Sequence, residues 1–232
     1  MAALEREIKP LVRDWRTNDR ECNGKRFRFF ESGERVAVCG GIGPEAARRA
    51  AEAIISMYQP ATIYSVGFAG ALASDLKVGD IVFPSRVINA SDGSSVETSG
   101  GEGVLVSFAS VAGPEQKAKL RESFSADAVD MEAAFVARAA DARAVDFVAI
   151  KAISDELGFA LPPMDRFVDR EGRLSERRFG FYAALRPWLW RQVMRMARNS
   201  RIAARSLCER LANLDAAPVA SSTIQSKGVG DR

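Results

Sequence analysis

The chain has 232 residues, of which 47% are hydrophobic and 27% charged, and its net charge is +3; this is the composition of an ordinary globular chain long enough to bury a full core. It contains no histidine, which excludes a Ser-His-Asp or Cys-His nucleophile, a histidine-ligated zinc and imidazole acid–base chemistry. Any proton transfer must then fall to carboxylates, lysine, tyrosine or cysteine.

Residues 4–12 read as the opening of a helix, and residues 26–30 alternate basic and aromatic side chains as a strand does. Residues 35–39 form a short apolar strand that runs into Gly40-Gly41-Ile42-Gly43. Pro44 stands at a first helical position, and Ala46, Ala47, Ala50, Ala51, Ile54, Ile55 and Tyr58 recur at helical spacing. Pro60 closes that helix. Residues 62–66 are the next strand, followed by Gly67-Phe68-Ala69-Gly70. After a turn at Val78-Gly79-Asp80, residues 81–88 read as one strand and residues 89–103 as a loop rich in Ser, Gly, Asp and Glu. Residues 104–108 are strand-like, Pro114–Phe124 is a polar helix, and residues 130–140 carry alanines and Phe135 at helical spacing. Residues 147–153 form a buried strand ending at Ser154-Asp155, and a loop rich in Phe, Leu and Pro spans 157–168. A long helix covers 181–213 with a break near Pro187, and the tail from Asp215 has the composition of a disordered segment. One domain over residues 1–214 is therefore expected. Strands alternating with helices predict an α/β fold, a three-layer sandwich around a mixed or parallel central sheet.

Other features narrow the setting. Cys22, Cys39 and Cys208 are odd in number and far apart, which fits reduced thiols in a cytoplasm and neither a disulfide framework nor a CxxC metal site. The charged N-terminal stretch lacks the apolar core of a signal peptide, and no run of about 18 apolar residues offers a membrane span. Residues 166–210 hold twelve arginines against Asp169, Glu171, Glu176 and Glu209, a local charge of +8. Such a segment is either a solvated helix face or a surface for an anionic membrane or nucleic acid.

Gly41-Ile42-Gly43-Pro44-Glu45-Ala46 matches a GxGxxA dinucleotide fingerprint between a strand and a helix. The acidic residue that would hold the NAD ribose about 20 positions on is missing; that region reads Ile63-Tyr64-Ser65-Val66. A second glycine loop follows instead. Two such loops at successive strand ends either converge on one crevice or simply make tight turns.

Four segments in order carry a resemblance. They are Ala3-Leu4-Glu5-Arg6-Glu7; Gly41 through Ala47; Val66-Gly67-Phe68-Ala69-Gly70-Ala71-Leu72 with Val78-Gly79-Asp80-Ile81-Val82; and Val129-Asp130-Met131-Glu132-Ala133-Ala134 with Ala152-Ile153-Ser154-Asp155. This series resembles the nucleoside phosphorylase/nucleosidase superfamily, and within it the methylthioadenosine/S-adenosylhomocysteine nucleosidases. Lys151 through Leu157, Leu161-Pro162-Pro163-Met164-Asp165-Arg166-Phe167 and Arg186-Pro187-Trp188-Leu189-Trp190 are similar to the hopanoid-associated branch, whose members are linked to removing adenine from adenosylhopane.

The resemblance implies a nucleoside phosphorylase-like fold, no cofactor, no metal and a homodimer or larger assembly. It makes Asp155 the general acid facing purine N7, with Ser154 orienting it. Burial beside the apolar strand would raise its pKa and keep a proton available; the alternative is a helix N-cap. Glu132 would accept from the ribose hydroxyls with Met131 packed under the sugar; the alternative is a helix first turn favouring an acid. Glu7 matches the glutamate that activates water, or is a surface residue. Family members carry a full strand ahead of that glutamate, whereas Met1 stands two residues before Ala3. Either the start lies further upstream or the strand is absent, which would leave backbone groups without partners. Phosphorylases hold phosphate with an arginine and a hydroxyl near the second glycine segment. Those positions read Ser65 and Phe68 here, so water is favoured as nucleophile. Gly43, Ala69 and Gly70 would line the crevice, and Ser110, Val111 and Phe108 the base site. The implied substrate is a small or lipid-linked adenosyl compound, with no nucleic acid. The basic C-terminal helix with Trp188 and Trp190 either packs on the sheet or docks on the inner membrane face.

Overall fold

The computed structural model describes residues 1–162, 164–169 and 171–214; the tail from Asp215 lies outside them. Helix α1 (Glu5–Val12) leads into three antiparallel strands, β1 (Arg16–Cys22), β2 (Lys25–Ser32) and β3 (Arg35–Val38), which make a small sheet. Helix α2 (Pro44–Tyr58) starts behind Gly43, whose φ of 93° suits glycine, and stops where Gln59 turns left-handed ahead of Pro60. The remaining strands are β4 (Thr62–Ala71), β5 (Ile81–Val82), β6 (Arg86–Asn89), β7 (Ser95–Glu97), β8 (Val104–Ser107), β9 (Ala128–Asp130) and β10 (Asp146–Asp155). They form one seven-stranded mixed sheet in the order β5-β10-β4-β9-β8-β6-β7. Helices α3 (Pro114–Phe124) and α4 (Ala133–Asp141) connect them, and α5 (Glu176–Ala184) and α6 (Trp190–Ala212) follow, parted by a turn at Pro187.

β10 shows why three layers form. Alternate residues of a strand face opposite sides. Phe147, Ala149 and Ile153 join the cluster under α2 and α4, while Val148, Ile150 and Ala152 join α1 and α6. A strand covered on both faces reads as a continuous apolar run, as this one does. Alanines at Ala47, Ala50 and Ala51 on α2 and at Ala133, Ala134, Ala137 and Ala140 on α4 are buried together, so the two helices pack closely.

Several boundaries differ from the sequence reading. The expected single strand over 81–88 is two, because Pro84 has no N–H for a ladder. Gly67-Phe68-Ala69-Gly70 is not a loop but the second half of β4. β7 lies inside the expected 89–103 loop. The 130–140 helix starts only at Ala133, after a short strand. β1 went unpredicted. Among the described residues, no helix is long and apolar enough to cross a membrane.

The two sheets meet at Met1 and Ala2. Ala2 pairs in parallel with Cys39 beyond β3. The Met1 carbonyl accepts from Val66 N–H at 2.8 Å, and its amino group donates to the Tyr64 carbonyl at 2.6 Å. These two residues thus bridge Cys39, just past β3, and β4. A cavity of about 1250 Å³ is lined by residues of both sheets and of α2, among them Val36, Ile54, Tyr58, Thr62 and Tyr64. Burial pulls the pKa of the Met1 amino group down to about 5.

Candidate active site

A cavity of about 150 Å³ opens at one end of the large sheet and gathers most of the residues singled out from sequence. Glu7 reaches it from α1, Phe68, Ala69 and Gly70 from β4, Met131 and Glu132 from the β9–α4 bend, and Ser154 and Asp155 from the end of β10. Val111 and Ser110 line it from the segment before α3. Gly43 is not in the wall, but its N–H donates to Glu132 Oε1 at 2.8 Å. Phe108 is not in the wall either; it packs with Leu72, Val106 and Ala112.

Glu7 is buried inside the first turn of α1, and its Oε2 accepts from the N–H groups of Ala3 and Leu4 at 3.2 and 3.3 Å. Burial raises its pKa from 4.5 to about 6, against the pull of Lys151 and those N–H donors. Its carboxylate lies against β4. A Cβ on Gly67, whose φ is 147°, would stand 2.8 Å from Glu7 Oε2, so glycine is there for close approach rather than for a turn.

Glu132 caps α4 in space but not by a side-chain bond. Burial first, and then the charge of Asp130, raise its pKa to about 8, with Lys151 and Gly43 N–H opposing. The cation opposing both glutamates is Lys151, itself buried. Its Nζ lies 2.8 Å from Asp130 Oδ2 and 3.1 Å from Ser65 Oγ. Burial alone would lower the Lys151 pKa, but Asp130 and Glu132 together raise it. Ser65, expected near a phosphate position, is therefore tied to a lysine beneath the site.

Asp155 is the last residue of β10, and no helix follows it, so it is not an N-cap. It is 3% exposed, buried as expected, and polar groups hold both of its oxygens. Ser154 Oγ donates to Oδ1 at 2.7 Å, and Lys117 Nζ lies 2.5 Å from Oδ2. Lys117, Lys151, Asp130 and Arg6 are the site residues the sequence reading missed. Lys151 carried a signal, being a lone charge in the apolar run of β10. Lys117 carried none, since it stands among other polar residues in the first half of α3. Arg6 stands at the cavity wall and pairs loosely with Glu176 at 3.8 Å. Leu161, Met164 and Met196 complete the wall on the outer side; unbranched methionines there can adapt to a larger guest.

Residues 1–109 and 101–184 match the family described as the Phosphorylase superfamily. Over 57 residues the chain is 40% identical to a 5′-methylthioadenosine/S-adenosylhomocysteine nucleosidase of Buchnera aphidicola subsp. Acyrthosiphon pisum, a stretch that spans 25% of each protein. An aminodeoxyfutalosine nucleosidase of Campylobacter jejuni is 23% identical over 212 residues, 75% of this chain and 93% of that one. Among solved structures, the Neisseria meningitidis 5′-methylthioadenosine/S-adenosylhomocysteine nucleosidase in complex with methylthio-immucillin-A matches with a TM-score of 0.67 and 20% identity, over 91% of this chain and 94% of that one. The futalosine hydrolase of Helicobacter pylori matches with a TM-score of 0.64 and 20% identity, over 92% and 96%. At such identities the structural likeness is one of fold.

Proposed function

We propose that this chain, which belongs to the phosphorylase superfamily, is a purine nucleosidase that hydrolyses the N-glycosidic bond of an adenosyl compound. One observation carries the reading: Glu7, Glu132 and Asp155 line a single cavity from separate elements. Carboxylates suffice for glycoside chemistry. Glu7, at a pKa of about 6, suits a general base working near neutrality. It takes a proton from water as the oxygen bonds to C1′. The C1′–N9 electron pair passes into the purine, and Asp155 protonates N7. Glu132 accepts from the ribose 2′- and 3′-hydroxyls and supports the positive charge on the ring. Met131 packs under the sugar, Phe68 gives an apolar wall, and Val111 lies by the base. The enzyme needs neither cofactor nor metal on this reading, and acts in the cytoplasm as a homodimer or larger assembly.

The preferred substrate is adenosylhopane, giving ribosylhopane. Leu161, Met164 and Met196 offer an apolar outer wall for a 5′ substituent. Nearby Phe181, Leu185, Trp188, Trp190 and Met194 are exposed among the arginines of α5 and α6. Exposed aromatics with arginines suit the face of an anionic bilayer, where a lipid-linked adenosine would be met. A phosphorylase is the second reading, favoured by Arg6 at the cavity wall, since an arginine grips phosphate well.

The test is adenine release from adenosylhopane and from methylthioadenosine, with and without phosphate. Release without phosphate supports hydrolysis, strict phosphate dependence makes the enzyme a phosphorylase, and a preference for methylthioadenosine removes the lipid substrate. No release from either leaves a basic binding module. Sedimentation with anionic phospholipid vesicles should fall sharply when Trp188 and Trp190 become serine; unchanged binding would end the membrane reading.

Proton release offers a separate check. Glu132 is mostly protonated at pH 7 in the empty site, given its pKa of about 8, whereas ribose hydroxyls bind best to the carboxylate. Binding of a non-hydrolysable adenosine analogue at pH 7 should release close to one proton per site by linkage, read by calorimetry in buffers of different ionisation enthalpy. Glu132→Gln should abolish the release, and a wild-type enzyme that releases none would contradict the ribose role.

A further inference from the structure

Lys117 sits in the first turn of α3, where the positive end of a helix disfavours a cation. Its side chain is 1% exposed. All three ammonium hydrogens have acceptors: Asp155 Oδ2 at 2.5 Å, the Glu156 carbonyl at 2.9 Å and the Asp155 carbonyl at 3.3 Å. A buried ion pair is weak evidence of stabilisation, since an apolar pair of similar volume often serves as well. The backbone also makes room for this one. A Cβ on Gly70 would stand 2.9 Å from Asp155 Oδ2 and 3.0 Å from Lys117 Cε, so any larger residue where β4 passes the pair would push its members aside. The pair faces the cavity, and both members line it.

We propose that Lys117 supplies the proton that Asp155 hands to the leaving purine. This rests on the nucleosidase reading above. An ionised carboxylate cannot act as an acid, and the ammonium beside Asp155 is the nearest source of a proton. As C1′–N9 breaks and its electron pair enters the purine, a proton passes from Nζ to the Asp155 carboxylate and one passes from that carboxyl to N7. Lys117 is left a neutral amine, Asp155 again a carboxylate, and the base protonated. Water has meanwhile given its proton to Glu7 and its oxygen to C1′. Proton exchange with solvent after product release returns Glu7 and Lys117 to their starting states. Lys117 acts through Asp155 and is a positioning residue that also stores the proton.

Lys117→Arg separates this role from a structural one, because a guanidinium keeps the charge and cannot give up its proton. With an adenosyl substrate, Lys117→Arg should lower kcat by about 100-fold, the lower end of what general acid catalysis contributes, whereas Lys117→Met leaves a buried carboxyl that takes up its own proton and should lose less. KM should change little. With 4-nitrophenyl riboside, whose leaving group needs no protonation, the charge-conserving Lys117→Arg should lose far less than it does on the adenosyl substrate. Rescue of adenine release by Lys117→Arg, or equal losses on both substrates, overturns the proposal. Lys117→Met with Asp155→Asn removes both charges of this pair and strands neither, so this double variant should fold even if the single methionine variant does not. It should be no slower than Asp155→Asn alone; a further tenfold loss would place Lys117 outside the Asp155 route. A wild-type enzyme that cleaves neither substrate overturns the nucleosidase reading itself, an outcome distinct from an active wild type with an active arginine variant.

Discussion

Asp155→Asn is expected to lower kcat for adenine release by about 10²- to 10⁴-fold, the usual contribution of a positioned general acid, with KM changed far less. The amide is nearly isosteric. Its oxygen can still accept from Lys117 or Ser154, which now lie 2.5 and 2.7 Å from the two carboxyl oxygens. What it lacks is the transferable proton and the charge. Loss of charge leaves Lys117 buried without its counter-ion, a change of the kind that costs about 3–5 kcal/mol when a buried pair is broken. The variant should therefore melt lower than wild type, and kcat must be taken per folded molecule, well below the transition. Two substrates separate the effects. On 4-nitrophenyl riboside the variant should be close to wild type, because its leaving group departs without a proton. A kcat on the adenosyl substrate within tenfold of wild type would remove Asp155 from the acid role.

Sequence was most readable where one local rule acted alone. Pro44 behind glycine and the alanine spacing mark α2 through Tyr58, and the apolar run of β10 announces a strand covered on both faces. It was least readable where two rules competed. Asn23-Gly24 is a strong hairpin signal, and both residues take positive φ, 50° and 73°. But Arg16–Cys22 is polar along its whole length, because none of it is buried, so the alternation that marks a strand is missing. Gly67 and Gly70 read as turn residues, yet they sit inside β4, where glycine admits the Glu7 carboxylate and the Lys117–Asp155 pair. Carboxylates of the candidate site were legible through their flanking motifs. Their cationic partners were not, since an ion pair between Lys117 and Asp155 spans 38 positions and leaves no local pattern.

Lys151→Met should be the most destabilising single change near the cavity. Lys151 Nζ holds Asp130 Oδ2 at 2.8 Å, with both side chains essentially sealed from solvent. Asp130 also takes Ser107 Oγ at 2.5 Å and the Ala133 N–H at 2.9 Å, so it joins β8, β9, β10 and the start of α4. Removing the ammonium strands that carboxylate, at a cost of about 3–5 kcal/mol. The double variant Lys151→Met/Asp130→Asn should recover much of the loss, since it removes both charges. The pH dependence follows from Glu7 and Glu132. Their folded pKa values, about 6 and about 8, lie above the ordinary 4.5. The native state thus holds protons that the unfolded state has released, so this contribution is full below pH 4.5 and fades as pH rises toward 8. Lys151 lowers both values. Without it they climb further, and the decline in stability should extend to higher pH. The acid limb of the activity profile should move the same way, because ionised Glu7 and Glu132 appear later. Urea midpoints and kcat/KM measured against pH test both shifts. A variant within about 0.5 kcal/mol of wild type, where surface changes fall, with an unmoved acid limb, would mean that Lys151 sets neither the anchor nor the charge of this site.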